Sequence, residues 1–177
     1  MKRFVLCCLS VAFCLMSHAQ NDSIAISKMR EIGVYYVKSN ELIQIVPIVQ
    51  ENLESSVAPF SARSSMVYKG EVSEHIMSGK PTFYIFIPSE YKNVINIRQF
   101  RLVTLSAKNG MRKLNIVSTS MFGSRTGSKT KTLDVIKLNE ECYKIFTDNN
   151  LPSGHYGIFY NYGSGVPRKL YDFDITE

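Results

Sequence analysis

The sequence predicts an all-β protein built as an antiparallel β-sandwich, either immunoglobulin-like or a related Greek key, with a closed barrel as the second choice. Short runs of β-branched and aromatic residues recur along the chain, and turn-forming residues separate them. No segment with helical periodicity is long enough to connect parallel strands. About nine or ten strands are expected, in a single domain over residues 33–177.

The chain begins with the features of a secretory signal peptide. Two basic residues precede an apolar run over residues 4–16, and Ser17 and Ala19 are the small residues that signal peptidase requires near its cleavage site. The run is too short to cross a bilayer as a helix. Residues 1–19 are therefore expected to be removed, which leaves an exported chain with no integral membrane segment, located in the periplasm, at the cell surface or outside the cell.

A lipid anchor at Cys14 is the alternative to simple cleavage. Residues 11–14 loosely resemble a lipobox, but Phe13 stands where a small residue is usual, because the processing enzymes must reach the neighbouring thiol. Removal of the signal peptide leaves Cys142 as the last cysteine, so no intramolecular disulfide is expected. Cys142 lies among apolar residues and is interpreted as a small buried core residue rather than a reactive thiol.

The charge of the chain does not indicate a nucleic-acid partner. The formal net charge is +6, and loss of the two basic residues of the signal peptide lowers it by two, to +4. The basic residues are spread over the sequence and form no dense stripe, which is what a nucleic-acid interface needs.

The predicted elements begin with a polar N-terminal segment over residues 20–32, which includes one short helical turn at residues 26–32. The first hairpin pairs residues 33–37 with residues 42–46, across a loop in which Asn40 is able to adopt positive φ. The prolines and the serine cluster that follow are expected to interrupt the sheet.

Strands resume at residues 65–69 and 82–87, with one helical turn between them at residues 73–79. The clearest local signal is the Asn109-Gly110 pair, which supplies the two positive-φ residues of a type I′ hairpin turn. The strands of this hairpin and of the two that follow are expected at residues 100–106, 112–119, 133–138, 142–147, 155–162 and 169–175.

Residues 151–156 resemble the tyrosine corner of immunoglobulin-like and fibronectin-like sandwiches. In that corner, a tyrosine at the start of a late strand bonds back to the backbone of the preceding turn, and Tyr156 would be that tyrosine. Pro152 is displaced by one residue from its usual place, because Ser153 separates it from Gly154. The motif favours a sandwich over a barrel.

Aromatic strand and turn features extend the resemblance over most of the mature chain, at residues 33–36, 81–86, 151–156 and 171–173. Together they resemble an uncharacterised family of exported bacterial β-proteins. This resemblance implies export and a β-fold, and the family brings no established activity.

No catalytic or metal-binding constellation is recognised, so neither a catalytic residue nor a cofactor is expected. The mature chain has His75 and His155 as its histidines, and neither lies in a known nucleophile motif. Asp172 and Asp174 alternate with aromatic residues on the last strand and are expected to face solvent rather than to form a glycosidase pair. The scattered histidines and Cys142 lack the spacing of metal ligands.

Two groups of residues are candidates for binding. A glycine- and hydroxyl-rich loop lacks the spacing of a phosphate-binding P-loop, but its Arg125, Lys129 and Lys131 are candidates for weak binding of anionic glycans or lipid head groups. Aromatic residues concentrate on the C-terminal hairpin. Alternate members are expected to face the core, and Tyr160 and Tyr162 are candidates for stacking on a sugar or anchoring a protein.

The sequence thus favours a non-enzymatic exported β-sandwich that acts as a cell-envelope binding or accessory protein, with an unidentified envelope protein or glycan as partner. Two alternatives are left open. An envelope hydrolase or inhibitor with a site of dispersed residues would be indicated by a deep pocket that contains a histidine and a carboxylate. A structural subunit assembled by strand exchange would be indicated by a long unpaired edge strand.

Overall fold

A computed structural model of the protein describes residues 20–58, 61–120, 123–126, 130–163 and 167–176. These ranges contain fourteen strands, which form two sheets packed face to face. The fold is therefore the predicted all-β sandwich, and neither sheet closes into a barrel. The predicted signal peptide and the alternative lipid anchor lie outside the described residues. No helix within those residues is long and apolar enough to cross a membrane.

The first sheet consists of five antiparallel strands. They are β1 (Gly33–Lys38), β2 (Glu41–Ile45), β6 (Thr82–Phe86), β11 (Asp134–Lys137) and β12 (Cys142–Phe146). Their order across the sheet is β11, β12, β6, β1, β2. The two hairpins β1–β2 and β11–β12 thus flank the single strand β6, which joins them by pairing with β1 on one side and with β12 on the other.

The second sheet has nine strands. They are β3 (Asn52–Ala58), β4 (Ser61–Lys69), β5 (Ile76–Ser78), β7 (Phe100–Lys108), β8 (Met111–Ser120), β9 (Gly123–Thr126), β10 (Lys131–Thr132), β13 (Gly154–Tyr160) and β14 (Tyr171–Thr176). Seven of them form a continuous path in the order β3, β4, β8, β7, β13, β14, β5. Short strands β9 and β10 pair with β8 and β7. All pairs are antiparallel except β14 with β5.

Within the described residues, helical structure is confined to short segments. Residues 20–28 are helical, and two 3-10 turns follow the strand β6, at Ser89–Tyr91 and Ile97–Gln99. The side chain of Asn96 caps the second turn by accepting a hydrogen bond from the backbone N–H of Arg98 at 2.9 Å.

The main hydrophobic core lies between the two sheets. Because side chains alternate across a strand, every second residue of the central strands points inward. The rings of Phe83 and Phe173 meet across the interface with centroids 4.8 Å apart, and Tyr156 stacks on Phe173 at 5.6 Å. This core holds the two sheets together. The strand ends and loops lie at the surface, where they form the candidate sites.

Both sheets are also partly covered on their outer faces. Ala25 and Met29, from the helix and the residue after it, pack against the outer face of the first sheet. The carboxylate of Asp22 fastens this helix by accepting hydrogen bonds from the Tyr84 hydroxyl at 2.8 Å and from the Lys144 ammonium at 2.9 Å. A smaller apolar cluster covers part of the outer face of the second sheet and consists of Met66, Tyr68, Val103, Leu105, Leu114, Phe159 and Leu170.

The two hairpin turns that the sequence predicts most directly are confirmed. Ser39 and Asn40 have φ of 52° and 64° between β1 and β2, and Asn109 and Gly110 have φ of 55° and 74° between β7 and β8. Positive φ at both central residues is the requirement of a type I′ turn. The predicted hairpins of β11 with β12 and of β13 with β14 are also present.

Three local predictions are wrong. The serine cluster at residues 61–65 does not interrupt the sheet, because these residues belong to β4 and pair through their backbones with β3 and β8, which serine does not prevent. Pro47 lies between β2 and β3, outside both strands, and Pro59 lies outside the described residues. Residues 76–78 form strand β5 rather than a helical turn, because they pair with β14. The helix lies at residues 20–28 instead of 26–32, where Asp22 and Ala25 contact the first sheet.

Candidate functional site

The predicted basic residues belong to different strands. Arg125 lies in β9, where its backbone is opposite Ser118 of β8, and Lys131 lies in β10, opposite Leu102 of β7. Lys129 lies outside the described residues. Lys131 lines a small cleft of about 220 Å³ together with Asp134 and other polar residues.

The two predicted tyrosines lie side by side at one end of the sandwich. The ring centroids of Tyr160 and Tyr162 are 4.7 Å apart in an edge-to-face arrangement, and Tyr160 contacts Phe100 in the same way at 5.3 Å. The guanidinium carbon of Arg168 lies 5.1 Å from the ring centroid of Tyr162, a cation–π distance. We call Val94, Tyr160, Tyr162 and Arg168 the aromatic–arginine patch.

Tyr160 is the fixed member of this patch. Its hydroxyl accepts a hydrogen bond from the backbone N–H of Asn96 at 3.1 Å and donates one to the carbonyl of Val94 at 3.3 Å. The backbone N–H of Asn161 bonds the carbonyl of Gln99 at 3.0 Å. The loop that carries the 3-10 turns is thereby tied to the end of β13, and the side chain of Val94 is left largely exposed beside Tyr160.

Tyr162 is turned outward by the local sequence. After β13 ends, the side chain of Asn161 accepts a hydrogen bond from the N–H of Gly163 at 2.9 Å, which forms an Asx-type turn. Gly163 has φ of 98°, a conformation that glycine adopts without strain. Tyr162 sits within this turn and is 63% exposed, so its ring is available to a partner.

The tyrosines of the patch are recognisable in the sequence, whereas Arg168 and Val94 are not. Arg168 follows a glycine-rich segment of the sequence, and Val94 belongs to a loop more than sixty positions earlier in the chain. Neither residue has a periodic relationship to Tyr162. Only the fold brings them to the same surface.

Two larger clefts lie elsewhere. One, of about 480 Å³, is formed where β5 and β14 approach β1 and β6, and it is lined by Tyr36, Lys38, Met77, Lys80 and Thr82 among others. The other, of about 630 Å³, is an open polar groove over β3, β4, β8 and the end of β7, and it is lined chiefly by Glu54, Arg63, Ser65, Lys108, Lys113 and Asn115.

The expectation that Asp172 and Asp174 face solvent is wrong, because both carboxylates are buried. Residues 70–75 run across the outer face of β14 and cover them. The N–H of Ser73 donates to the carboxylate of Asp174 at 2.9 Å, and the Ser73 hydroxyl donates to the backbone carbonyl of Asp172 at 3.2 Å. These acids therefore belong to the packed interior of the protein.

The histidines are held in structural contacts. Nδ1 of His155 lies 2.8 Å from a carboxylate oxygen of Asp174, and Nδ1 of His75 lies 3.4 Å from the Tyr36 hydroxyl. Neither histidine lines any of the three clefts described above. The described part of the chain also contains no group of three histidine, cysteine or acidic side chains placed to hold a metal ion.

Cys142 is buried under the N-terminal helix, as its apolar surroundings in the sequence predict. Burial raises the pKa of the Cys142 thiol to about 12, and the nearby carboxylate of Asp22 contributes in the same direction. The thiol is thus neutral at physiological pH, whereas cysteine nucleophiles act as thiolates.

No protein-family model, no curated protein and no solved structure matches the chain significantly.

Proposed function

We propose that the protein is an exported, non-enzymatic binding protein of the cell envelope, and that it holds a protein partner through the aromatic–arginine patch. The observation that carries this proposal is an exposed tyrosine that contacts both a fixed aromatic ring and an arginine: Tyr162 packs edge-to-face with Tyr160, and the Arg168 guanidinium lies over its ring. Tyrosine and arginine, together with tryptophan, are the residue types enriched among the positions that dominate protein–protein affinity.

The anchoring of Tyr160 favours binding at low entropic cost. Its hydroxyl is bonded to the backbone of the loop at Val94 and Asn96, so the ring against which Tyr162 rests is ordered before any partner arrives. Side chains that are already ordered lose less conformational freedom on association, which leaves more of the contact energy as affinity.

Arg168 indicates the chemistry of the partner. No carboxylate of the described residues forms an ion pair with Arg168, so its guanidinium has hydrogen-bond donors left for an acidic group. We expect a partner segment that places an apolar side chain against Tyr162 and Val94, with an aspartate or glutamate next to it. A protein partner is favoured over a glycan because Arg168 occupies one face of the Tyr162 ring on which a sugar would stack.

The test is crosslinking in the native cell, followed by purification and mass spectrometry of the captured complex. Tyr162→Ala and Arg168→Ala are each expected to reduce capture of the partner by about tenfold or more, as loss of a dominant contact does. Tyr162→Phe keeps the ring and is expected to retain the partner. Arg63→Ala removes an exposed arginine of β4 and serves as the matched control.

Equal capture by the parent protein and by both alanine variants would contradict the proposed site. If the variants lose a glycan and not a protein, the patch is a glycan-binding surface instead. Each variant is compared with the parent by circular dichroism, so that loss of binding is distinguished from loss of folding.

A further inference from the structure

Strand β3 is an edge strand of the second sheet, and its side chains are exposed on both faces. Its one partner among the described strands is β4. All side chains from Asn52 to Val57 are exposed, although successive residues point to opposite faces. They include two large apolar residues, Leu53 at 58% exposure and Val57 at 85%. The free edge of β3 therefore presents the outward-directed N–H and C=O groups of alternate residues along a strand of seven, beside uncovered apolar side chains.

Proteins usually protect such an edge, and β3 lacks the usual devices. It contains no proline and no lysine, and the register shift of this part of the sheet lies between β4 and β8, at Ser64 and Ser65. Its single charged residue, Glu54, is paired with Lys113 at 2.5 Å. An unguarded edge of this length is a template for pairing with another strand.

We propose that β3 pairs antiparallel with β3 of a second copy of this chain, about a two-fold axis at Ser55. The two second sheets then form one continuous sheet through the dimer. This inference does not rest on the proposed function, because the aromatic–arginine patch is built by β13 and the loops beside it and contains no residue of β3.

The sequence of β3 is complementary to itself in this register. With Ser55 opposite Ser55, all seven residues of each strand are paired, Leu53 lies opposite Val57 of the second copy, and Val57 lies opposite Leu53 of the second copy. These residues share one face of the strand, so two apolar cross-strand pairs cover the side chains that are most exposed in the single chain. On the other face, Glu54 lies opposite Ser56 of the second copy.

Neighbouring symmetric registers are worse. A two-fold axis at Glu54 would place the two Glu54 carboxylates directly opposite each other, which is destabilising in a sheet. An axis at Ser56 would leave Leu53 beyond the paired residues and would place Val57 opposite Ser55. Among these three registers, only the axis at Ser55 pairs the apolar residues with each other and keeps the glutamates from facing each other. This complementarity is the reason for a second copy of this chain as the partner of β3.

Disulfide crosslinking tests the proposed register. In this register, residue 55 of one chain lies directly opposite residue 55 of the second copy, and the two Cα atoms are close enough for a disulfide. Ser55→Cys is therefore expected to give a covalent dimer under mild oxidation. Ser61→Cys is the matched control, because Ser61 lies in β4 between β3 and β8 and has no free edge. The Ser61→Cys variant is expected to remain monomeric on a non-reducing gel. Peptide mass spectrometry of the Ser55→Cys dimer identifies which residues form the disulfide.

Sedimentation of the full chain tests the interface without introduced thiols. A single strand pair buries less area than the roughly 1,600 Å² of a standard interface, so a dimer that dissociates in the micromolar range is expected. Val57→Lys places two lysines opposite the apolar Leu53 pair and is expected to raise the dimer dissociation constant by at least tenfold. Val49→Lys introduces a charge at an exposed position outside β3 and is expected to leave the dimer dissociation constant unchanged.

Two results would overturn the proposal. One is a parent protein that sediments as a monomer at all concentrations with no crosslink through Ser55→Cys. The other is a dimer that Val57→Lys does not weaken and Ser55→Cys does not capture, which would place the contact on another surface. Neither result bears on capture of a partner by Tyr162 and Arg168, so the two proposals fail separately.

Discussion

The guanidinium of Arg112 forms an ion pair with the carboxylate of Asp172 inside the protein, where the two side chains are 5% and 4% exposed. Arg112 belongs to β8 and Asp172 to β14, two strands that are separated by β7 and β13 in the second sheet. The same guanidinium donates to the backbone carbonyl of Gly70 at 3.1 Å and to that of Lys69 at 3.2 Å. One side chain therefore ties the outer face of β14 to the end of β4.

Removing one partner of this ion pair is expected to destabilise the protein strongly. Arg112→Met leaves the Asp172 carboxylate buried without a counter-charge, which typically costs about 3–5 kcal/mol of unfolding free energy. The measurement is urea denaturation followed by circular dichroism. The double variant Arg112→Met with Asp172→Leu is expected to recover much of the loss, because it removes both charges.

The surface ion pair of Lys137 with Glu140 provides the control for this experiment. Lys137→Met is expected to leave the urea midpoint nearly unchanged, because that pair is exposed and weakly coupled. If Arg112→Met proved no more harmful than Lys137→Met, the buried ion pair would not contribute to stability in the way proposed.

The hydroxyl of Tyr156 donates a hydrogen bond to the backbone carbonyl of Pro152 at 2.8 Å, which closes the turn before β13. Tyr156→Phe removes this bond and keeps the ring stacked on Phe173, so the unfolding free energy is expected to fall by about 1 kcal/mol. Tyr162→Phe, at an exposed position, should unfold at the same urea concentration as the parent. Indistinguishable midpoints for the two variants would argue against a stabilising role for the Tyr156 bond.

The parts of this fold that the sequence predicts are those that depend on neighbouring residues. The turn at Asn109 and Gly110 needs only the backbone preferences of two adjacent positions, and it is present. The burial of Asp172 depends instead on Arg112, sixty positions away, and on residues 70–75. A strand in which polar and aromatic residues alternate has the pattern of a strand with one buried and one exposed face. That pattern does not show whether a distant segment also covers the polar face.

The same distinction applies to the candidate sites. Tyr160 and Tyr162 stand out in the sequence because they are close together, and the structure places their rings in contact. Arg168 has no sequence signal of its own and is brought to Tyr162 by the fold. Strand β3 was missed because its serines and Glu54 have low strand propensity, and its conformation is imposed by pairing with β4 rather than by its own residues.

Gly157 of β13 faces Leu170 at a distance that leaves no room for a side chain. A Cβ atom at this position would lie 2.5 Å from Cδ1 and 2.8 Å from Cγ of Leu170, so Gly157→Ala forces the leucine or the strand to move. We expect a loss of about 1–3 kcal/mol in the unfolding free energy, measured by urea denaturation. At Gly79 the nearest atom, Cγ of Asn150, is 3.5 Å away, and Gly79→Ala should be tolerated. Equal stability of the two variants would contradict this account.

Alkaline pH is expected to destabilise the protein through Cys142. The thiol ionises near pH 9.0 in the unfolded chain, but burial raises its pKa to about 12 in the folded protein. Between these two pH values the unfolded state binds fewer protons than the folded state. The unfolding free energy therefore falls as pH rises, by up to about 1.4 kcal/mol for each pH unit. Below pH 9.0 the contribution is fully present.

The variant Cys142→Ala separates this effect from the ionisation of buried tyrosines. Burial raises the pKa of Tyr68 from 10.0 to about 12, so its contribution is lost only above pH 10.0. Urea denaturation over a series of pH values should show the loss of stability beginning near pH 9.0 in the parent and later in Cys142→Ala. Parallel pH profiles for the two proteins would show that Cys142 does not titrate as described.

The position of β14 has a consequence for when the chain can fold. This last strand lies between β13 and the much earlier β5, and it supplies Phe173 to the core and Asp172 to the buried ion pair. Until β14 has left the ribosome, the second sheet lacks an interior strand and Arg112 lacks the counter-charge of Asp172. The second sheet therefore cannot be completed before β14 emerges, and its assembly joins segments that are far apart in the sequence, which is typical of slowly folding β-proteins.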